Sequence, residues 1–183
     1  MCNRRAIRGL TLIELLIFIV VVGVAATAIL AVMGSLTRQS AALLPEKQAQ
    51  AVAAGLLDEI LAQPYTFCDP DAPNAATATA ATAAACGGPP ESGLGPEAGE
   101  TRGGATPFDN VNDYNGHAGA VSFPDSSAVA GLPGYTVQVQ VQGAGAIAGV
   151  PAAQTLRVIV TVSGPTGQLA RQEGVRIRYA PNT

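Results

Sequence analysis

The segment that decides the fold is RGLTLIELLIFIVVVGVAATAIL, which runs from Arg8 to Leu30. No charged residue occurs from Leu15 to Thr37, and as a helix those 23 positions span about 34 Å, enough for a bilayer core of about 30 Å. Glu14 lies at the front of this apolar run, where a carboxylate is costly to insert into lipid. The segment predicts a membrane-spanning helix whose acid needs its own explanation.

Basic residues lie mainly on one side of this segment. Three arginines occur among the first eight residues, whereas Arg38, Glu46 and Lys47 on the other side nearly cancel one another. Because basic flanks stay in the cytoplasm, we expect the N terminus inside and everything after Arg38 outside. In a bacterium, outside means the periplasm or beyond.

The composition argues against several function classes. The chain of 183 residues has a formal net charge of −3 and only 4% aromatic residues. Nucleic-acid binding normally needs a basic face and stacking groups, so we expect no nucleic-acid partner. No P-loop and no motif around a nucleophile are present, and we predict no catalytic residue, no metal ligand and no cofactor.

The apolar segment has three interpretations. It is a secretory signal cut at the Ala26–Ala28 site, a plain signal anchor, or a helix exposed by cleavage between Gly9 and Leu10. Only the third uses Glu14. Cleavage there would create a cationic amine one helical turn from the Glu14 carboxylate, which could then pair with it in the same chain or in a neighbouring chain.

The residues RGLTLIELLIFIVVVGVA resemble the class III leader of type IV pilins and type II secretion pseudopilins. The resemblance rests on a basic leader ending in Gly9, on Glu14 five residues later and on the long apolar run. It implies cleavage after Gly9 by the prepilin peptidase, N-methylation of Leu10, and a role for Glu14 in assembly with other pilin subunits. Leu10 departs from the family, in which Phe or Met is commoner at this position.

The helical pattern continues beyond the membrane segment. We predict a helix from Leu10 to about Ala62, ended by Pro64, with Asp58 and Glu59 on its polar side. The apolar stripe on the other side consists of Ala49, Val52, Ala53, Leu56, Leu57 and Ile60.

Two cysteines follow the helix. Cys2 would be lost with the leader, which leaves Cys68 and Cys86 on either side of an Ala/Thr-rich run. In an oxidising compartment such a pair most simply forms a disulfide. A metal site is the alternative, but His117 is the only histidine that could join it.

The C-terminal third alternates apolar and polar residues, as strands do. The segments YTVQVQVQ and TLRVIVTVS predict two strands, a third carries Val175, Ile177 and Tyr179 on its apolar face, and a short fourth runs from Ala120 to Phe123. We interpret the arginines of the third strand as a solvated face that discourages edge pairing, with a contact patch for an acidic neighbour as the alternative. These arginines are Arg171, Arg176 and Arg178.

The segment FDNVNDYNG, from Phe108 to Gly116, is rich in oxygen-bearing side chains. Calcium prefers such ligands, but the spacing is not that of an EF-hand loop and no closing Glu follows. We therefore interpret 109–115 as a surface turn rich in Asp and Asn. His117 has no partner motif that would make it a catalytic base.

Together these features predict an α+β, pilin-like fold in which a long N-terminal helix packs on a small antiparallel sheet. The predicted organisation is a leader at 1–9, a membrane and filament-core helix at 10–37, an amphipathic helix at 38–63, a disulfide-containing loop region at 64–107 and a sheet at 108–183.

The predicted function is structural. We expect a minor subunit of a type IV pilus, stored in the inner membrane with a periplasmic head and partnered by other pilin subunits and the prepilin peptidase. The segments LLDEILAQPYTFCDPD and FDNVNDYNG are similar to minor pilins of the mannose-sensitive haemagglutinin type. The alternatives are a minor pseudopilin of a type II secretion system and a secreted periplasmic binding domain.

Overall fold

The computed structural model describes residues 11–72, 86–88, 91, 93–167 and 169–178, with the backbone only at 38–42. The chain divides into two compact units, Met1–Leu44 and Pro45–Thr183. The predicted leader and most of the Ala/Thr-rich run lie outside the described residues.

A single helix, α1, extends from Leu12 to Ala62 and continues through Pro45. In the first unit, the part from Leu12 to Thr37 is long and apolar enough to cross a membrane, and none of it is buried. Exposed Leu, Ile, Val and Phe side chains line this part of the helix. A surface of this kind is stable in hydrocarbon or against other apolar helices, not in water.

In the second unit, the end of α1 contributes the apolar stripe that the sequence predicts. Five of the six stripe residues are buried and Val52 is half-buried, which confirms the helical register. The helix ends where predicted, because Pro64 follows the last turn and has no N–H to continue it. The buried stripe residues are Ala49, Ala53, Leu56, Leu57 and Ile60.

Four antiparallel strands form one sheet in the order of the chain. Their bounds are β1 Ala118–Ala120, β2 Thr136–Gly143, β3 Thr155–Ser163 and β4 Leu169–Ile177. In β2 the valines are buried, Gln138 and Gln140 are exposed and Gln142 is half-buried, as the alternation predicts. The turn before β4 is closed by a hydrogen bond from the N–H of Gly167 to the carbonyl of Gly164, 3.1 Å long.

The sheet and the helical stripe share one hydrophobic core. Val137, Val139, Val158 and Val160 pack in the same buried cluster as Ile60 of α1. The Tyr135 hydroxyl also donates to Oε1 of Gln48 at 2.8 Å, which links the start of the sheet to the helix. The predicted α+β, pilin-like arrangement of a helix packed on an antiparallel sheet is confirmed.

The predicted apolar face of β4 is wrong. Val158 of β3 pairs with Gly174, so Gly174 and Ala170 share the helix-facing side while Val175 lies on the opposite side, 44% exposed. The reason is space. A Cβ at position 174 would lie 2.7 Å from a methyl carbon of Leu61 and 3.3 Å from one of Leu57, so glycine leaves room there for these helix side chains.

The short fourth strand is displaced from its predicted position. It covers Ala118–Ala120 instead of Ala120–Phe123, because Ala120 already pairs with Thr136, the first residue of β2. Beyond this point the chain turns back on itself, and the N–H of Phe123 donates to the carbonyl of Ser127 at 2.8 Å.

Candidate functional site

The described chain begins with the first turn of α1. The carbonyl of Thr11 accepts hydrogen bonds from the N–H groups of Glu14 and Leu15, at 3.1 and 3.2 Å. Glu14 therefore lies in the first turn of the helix, where its charge also suits the helix dipole. Its side chain is exposed in the isolated chain. Gly9 and Leu10 lie outside the described residues, so cleavage and methylation there stay predictions.

A disulfide joins Cys68 and Cys86, whose Cα atoms are 5.3 Å apart. Cys68 is buried, and nearby the N–H of Glu91 donates to the carbonyl of Phe67 at 3.1 Å. The bond thus fixes the chain at Cys86 beside the segment that follows α1.

The prediction that 109–115 forms a surface turn is wrong. Residues Val111–Tyr114 form a buried 3-10 helix with a complete capping box. The Asn110 side chain accepts from the N–H of Val111 at 2.9 Å, and Oδ2 of Asp113 accepts from the N–H of Asn110 at 2.7 Å. Val111 and Tyr114 enter the core together, because residues three apart share one face of a 3-10 helix. Asn112 and Asp113 are buried as well.

Glu59, predicted on the polar side of the helix, instead forms a half-buried ion pair. Nη2 of Arg102 lies 2.6 Å from Oε2 of Glu59, and the hydroxyl of Tyr114 donates to Oε1 at 3.0 Å. Burial raises the pKa of Glu59, but the hydrogen bonds and charge of Arg102 outweigh it and hold the pKa below its ordinary value. Burial, together with the charge of Glu59, raises the pKa of Tyr114, which stays protonated as a donor.

A group of carboxylates lies beside this 3-10 helix. Glu91, Glu97 and Asp113 each offer an oxygen within 4.8 Å of the others. Burial, with the charges of neighbouring carboxylates, raises the pKa of Glu91 to about 8 and that of Asp113 to about 7. Asn112 donates to Oε2 of Glu91 at 2.6 Å, which orients that side chain.

A second group of acids is less enclosed. Asp69, Asp71 and Asp109 also offer oxygens within 4.8 Å of one another, but Asp71 is exposed. Burial and the charges of Asp69 and Asp71 raise the pKa of Asp109 to about 6. The oxygen-rich stretch noted in the sequence therefore contributes to two clusters, each completed by residues from elsewhere in the chain.

His117 lies beside two aromatic rings. Its ring centroid is 6.0 Å from that of Phe108 and 6.4 Å from that of Tyr114. Burial, with the charge of Arg102, lowers the pKa of His117, although Glu59 partly offsets this. His117 is a half-buried residue that packs against these two rings.

The arginines of the C-terminal strand differ from one another. Arg171 forms an exposed ion pair with Glu173, as a solvated face predicts. Arg178 does not, because its guanidinium lies 3.8 Å from the ring centre of Tyr65 and 3.9 Å from that of Phe67. For Arg178 the prediction of a solvated strand face is therefore wrong. Its guanidinium instead packs on the segment after α1 through cation–π contacts.

The sequence does not reveal the grouping of Glu91 with Glu97 or the pairing of Arg102 with Glu59. No local pattern marks these residues, because Arg102 and Glu59 are 43 positions apart and Glu91 stands in a turn-rich segment. Their oxygens and charges come together only when the loops pack on the end of the helix.

Comparison with known proteins gives one match, at the N terminus. Residues 4–30 match the model of the prokaryotic N-terminal methylation motif. No curated protein and no solved structure matches the chain significantly. The motif indicates a structural protein that is processed by a prepilin peptidase, anchored in the inner membrane and assembled with other pilin subunits. Together with the α+β arrangement, it supports a type IV pilin-like protein.

Proposed function

We propose that this chain is a minor pilin-like structural subunit of a type IV pilus, with a role in pilus assembly or adhesion. The observation that carries the proposal is that the methylation motif overlaps an apolar, unburied helix. The methylation motif covers residues 4–30, and the helix that begins at Leu12 inside it is apolar and unburied through Thr37. A helix of this kind first resides in lipid and then packs in a filament core.

Glu14 is the residue to which we assign assembly. After cleavage between Gly9 and Leu10, the new amine of one subunit pairs with the Glu14 carboxylate of its neighbour. At about 4 Å and an effective dielectric constant of about 20, this attraction is worth roughly 4 kcal/mol before desolvation. Because desolvation consumes much of this free energy, the pair sets the register between helices more than it adds stability.

The second unit supplies the exposed head. Its disulfide suits an oxidising exterior compartment, where a small domain benefits from a covalent crosslink. The similarity of LLDEILAQPYTFCDPD and FDNVNDYNG to minor pilins of the mannose-sensitive haemagglutinin type supports a minor rather than a major subunit. The head is the part of the subunit that would contact a surface or a neighbouring subunit.

The mature N terminus tests this proposal. The intact mass of the subunit purified from membranes should correspond to a chain that begins at methylated Leu10. A Gly9→Val variant serves as control and should keep its leader, because it removes the glycine with which leaders of this kind end. A mature chain that begins at Ile29 would show ordinary signal cleavage and a secreted domain, and it would end the proposal.

A second measurement separates the pilus from a secretion pseudopilus, which would use the same helix and the same cleavage. The subunit should be labelled in its head and imaged on purified surface fibres. Label on the fibres supports the pilus. Fibres without label, together with a defect in protein export when the subunit is deleted, would assign it to a type II secretion system.

A further inference from the structure

The head contains a compact group of acids that no function described above uses. Glu91 follows the disulfide, Glu97 lies in the next loop and Asp113 belongs to the 3-10 helix, yet each offers an oxygen within 4.8 Å of the other two. Three carboxylates this close repel one another strongly unless a cation or protons intervene. In the part of the chain that the structure describes, none of the three forms an ion pair with Lys or Arg.

Each of these acids has a buried carboxylate oxygen without a hydrogen-bond partner. One oxygen of Asp113, Oδ2, accepts from the N–H groups of Asp109 and Asn110, at 3.1 and 2.7 Å. One oxygen of Glu91, Oε2, accepts from Asn112. The other oxygen of each side chain is hidden from solvent without a hydrogen-bond partner, and so is Oε2 of Glu97. Glu91 and Asp113 are therefore each held by one carboxylate oxygen, and the other oxygen of each is left without a partner.

Asn112 provides an independent indication. Its side chain is neutral and only 2% exposed, and its amide nitrogen bridges Oε2 of Glu91 at 2.6 Å and the carbonyl of Gly93 at 3.1 Å. These two bonds place the amide directly beside the carboxylate group. Its oxygen, Oδ1, is nevertheless buried without any hydrogen-bond partner. Buried polar atoms in native proteins are nearly always satisfied, so the unpartnered oxygens on these four neighbouring side chains indicate a missing electrophile.

We propose that Glu91, Glu97 and Asp113 bind one calcium ion, with Asn112 orienting Glu91 beside it. The ligand atoms are all oxygens, with no His or Cys in the group, which excludes the usual zinc and copper chemistry. Calcium accepts several carboxylates in irregular geometry, whereas magnesium prefers a strict octahedron with few carboxylates and several waters. The ligands come from three segments, so no EF-hand spacing exists to reveal the site in the sequence.

The ion would connect three parts of the head. It would link the chain after Cys86 to the loop around Glu97 and to the 3-10 helix that packs on α1. Its binding would depend on an exterior calcium concentration, because modules of this kind bind with dissociation constants of about 10⁻⁴ to 10⁻³ M. The proposal concerns the head alone and does not depend on the proposed pilus function.

Calcium titration of the full chain tests the site. The protein, purified in detergent and freed of metal with a chelator, is titrated with calcium chloride in a calorimeter and melted with and without calcium. The variants are Glu91→Gln and Glu97→Gln, which keep side-chain shape and one acceptor oxygen. Asp58→Asn is the matched control, because Asp58 lies exposed on α1.

We expect one saturable site in the native chain and in Asp58→Asn, and at least a tenfold weaker affinity in each glutamine variant. In chelator, the glutamine variants should melt no lower than the native chain, because each removes a repelling charge. This separates loss of a ligand from loss of the fold. No saturation below about 10 mM calcium, equal affinity for magnesium, or unchanged binding in Glu91→Gln would each overturn the proposal.

Discussion

Arg102 and Glu59 form a bidentate ion pair across 43 positions of sequence, with Nε 2.8 Å from Oε1 and Nη2 2.6 Å from Oε2. The Arg102 side chain is only 7% exposed, and its other nitrogen, Nη1, donates to the carbonyl of Ser122 at 3.0 Å. One side chain thus fastens the loop before the 3-10 helix and the chain after β1 to the end of α1.

Removal of this arginine should destabilise the head. Arg102→Leu leaves the Glu59 carboxylate partly buried without its partner, and we expect a loss of about 3 kcal/mol in the free energy of unfolding. The control is Arg171→Leu, whose pair with Glu173 is 56% and 42% exposed and should be worth less than about 1 kcal/mol. Urea denaturation of both variants measures the difference. Equal losses in the free energy of unfolding would show that the Arg102–Glu59 pair stabilises the head no more than the exposed Arg171–Glu173 pair does.

The disulfide should contribute through the unfolded chain. Cys68 and Cys86 are 18 positions apart, and closure of a loop of that length restricts the unfolded state by about 3 kcal/mol. The Cys68→Ala, Cys86→Ala double variant should lose roughly that amount in urea denaturation. Each single variant should lose at least as much, because it also leaves a free thiol. A double variant as stable as the native chain would contradict this.

Position 174 should reject a larger side chain. In Gly174→Val the added carbons would meet methyl groups of Leu61 and Leu57, so we expect a destabilisation of about 1–3 kcal/mol. Gly143→Val is the matched control, because nothing lies within 4 Å of a Cβ built at that strand residue. Thermal unfolding compares the two. If Gly143→Val lowers the melting temperature as much as Gly174→Val, the close approach of sheet and helix is not the reason for the glycine.

His117 should titrate below its ordinary range. Burial and the nearby charge of Arg102 lower its pKa from 6.5, so the folded state favours the neutral ring. The stabilisation that comes from the neutral ring is therefore present in full above pH 6.5. The free energy of unfolding decreases as the pH falls below that value, because the unfolded chain takes up the proton first. Because the chain has a single histidine, NMR can follow its ring signal without ambiguity. The same signal in urea is the control and should titrate near 6.5, and a folded-state midpoint at or above this value would contradict the prediction.

Glu14 should matter for assembly and not for processing. In Glu14→Leu the precursor should still insert and be cut after Gly9, since neither step uses the carboxylate. Incorporation into filaments should fall at least tenfold, because the amine of the neighbouring subunit loses its partner in an apolar environment. Immunoblots of membrane and fibre fractions measure both steps. Glu46→Gln, an exposed acid of the same helix, is the control, and normal incorporation of Glu14→Leu would refute the assigned role.

Local patterns in the sequence were sufficient for the helix and most of the sheet. The stripe from Ala49 to Ile60 and the alternating valines of β2 and β3 report which residues face a core, because the two regular structures repeat with fixed periods. The N-terminal motif is equally local, since its leader, glycine, acid and apolar run are contiguous. For these features the amino-acid sequence by itself determined the answer.

Tertiary structure alone decided which face of β4 is buried and where the polar groups meet. The alternating pattern predicts Val175 as a core residue, but Gly174 pairs with Val158 on the helix-facing side, where the side chains of Leu61 and Leu57 fill the space. The partners of Glu59 and the three acids around Asp113 come from segments far apart in the chain. Buried polar groups must form hydrogen bonds or ion pairs, and their partners come from whichever segments the fold places beside them. The periodicity of a local sequence does not predict those partners.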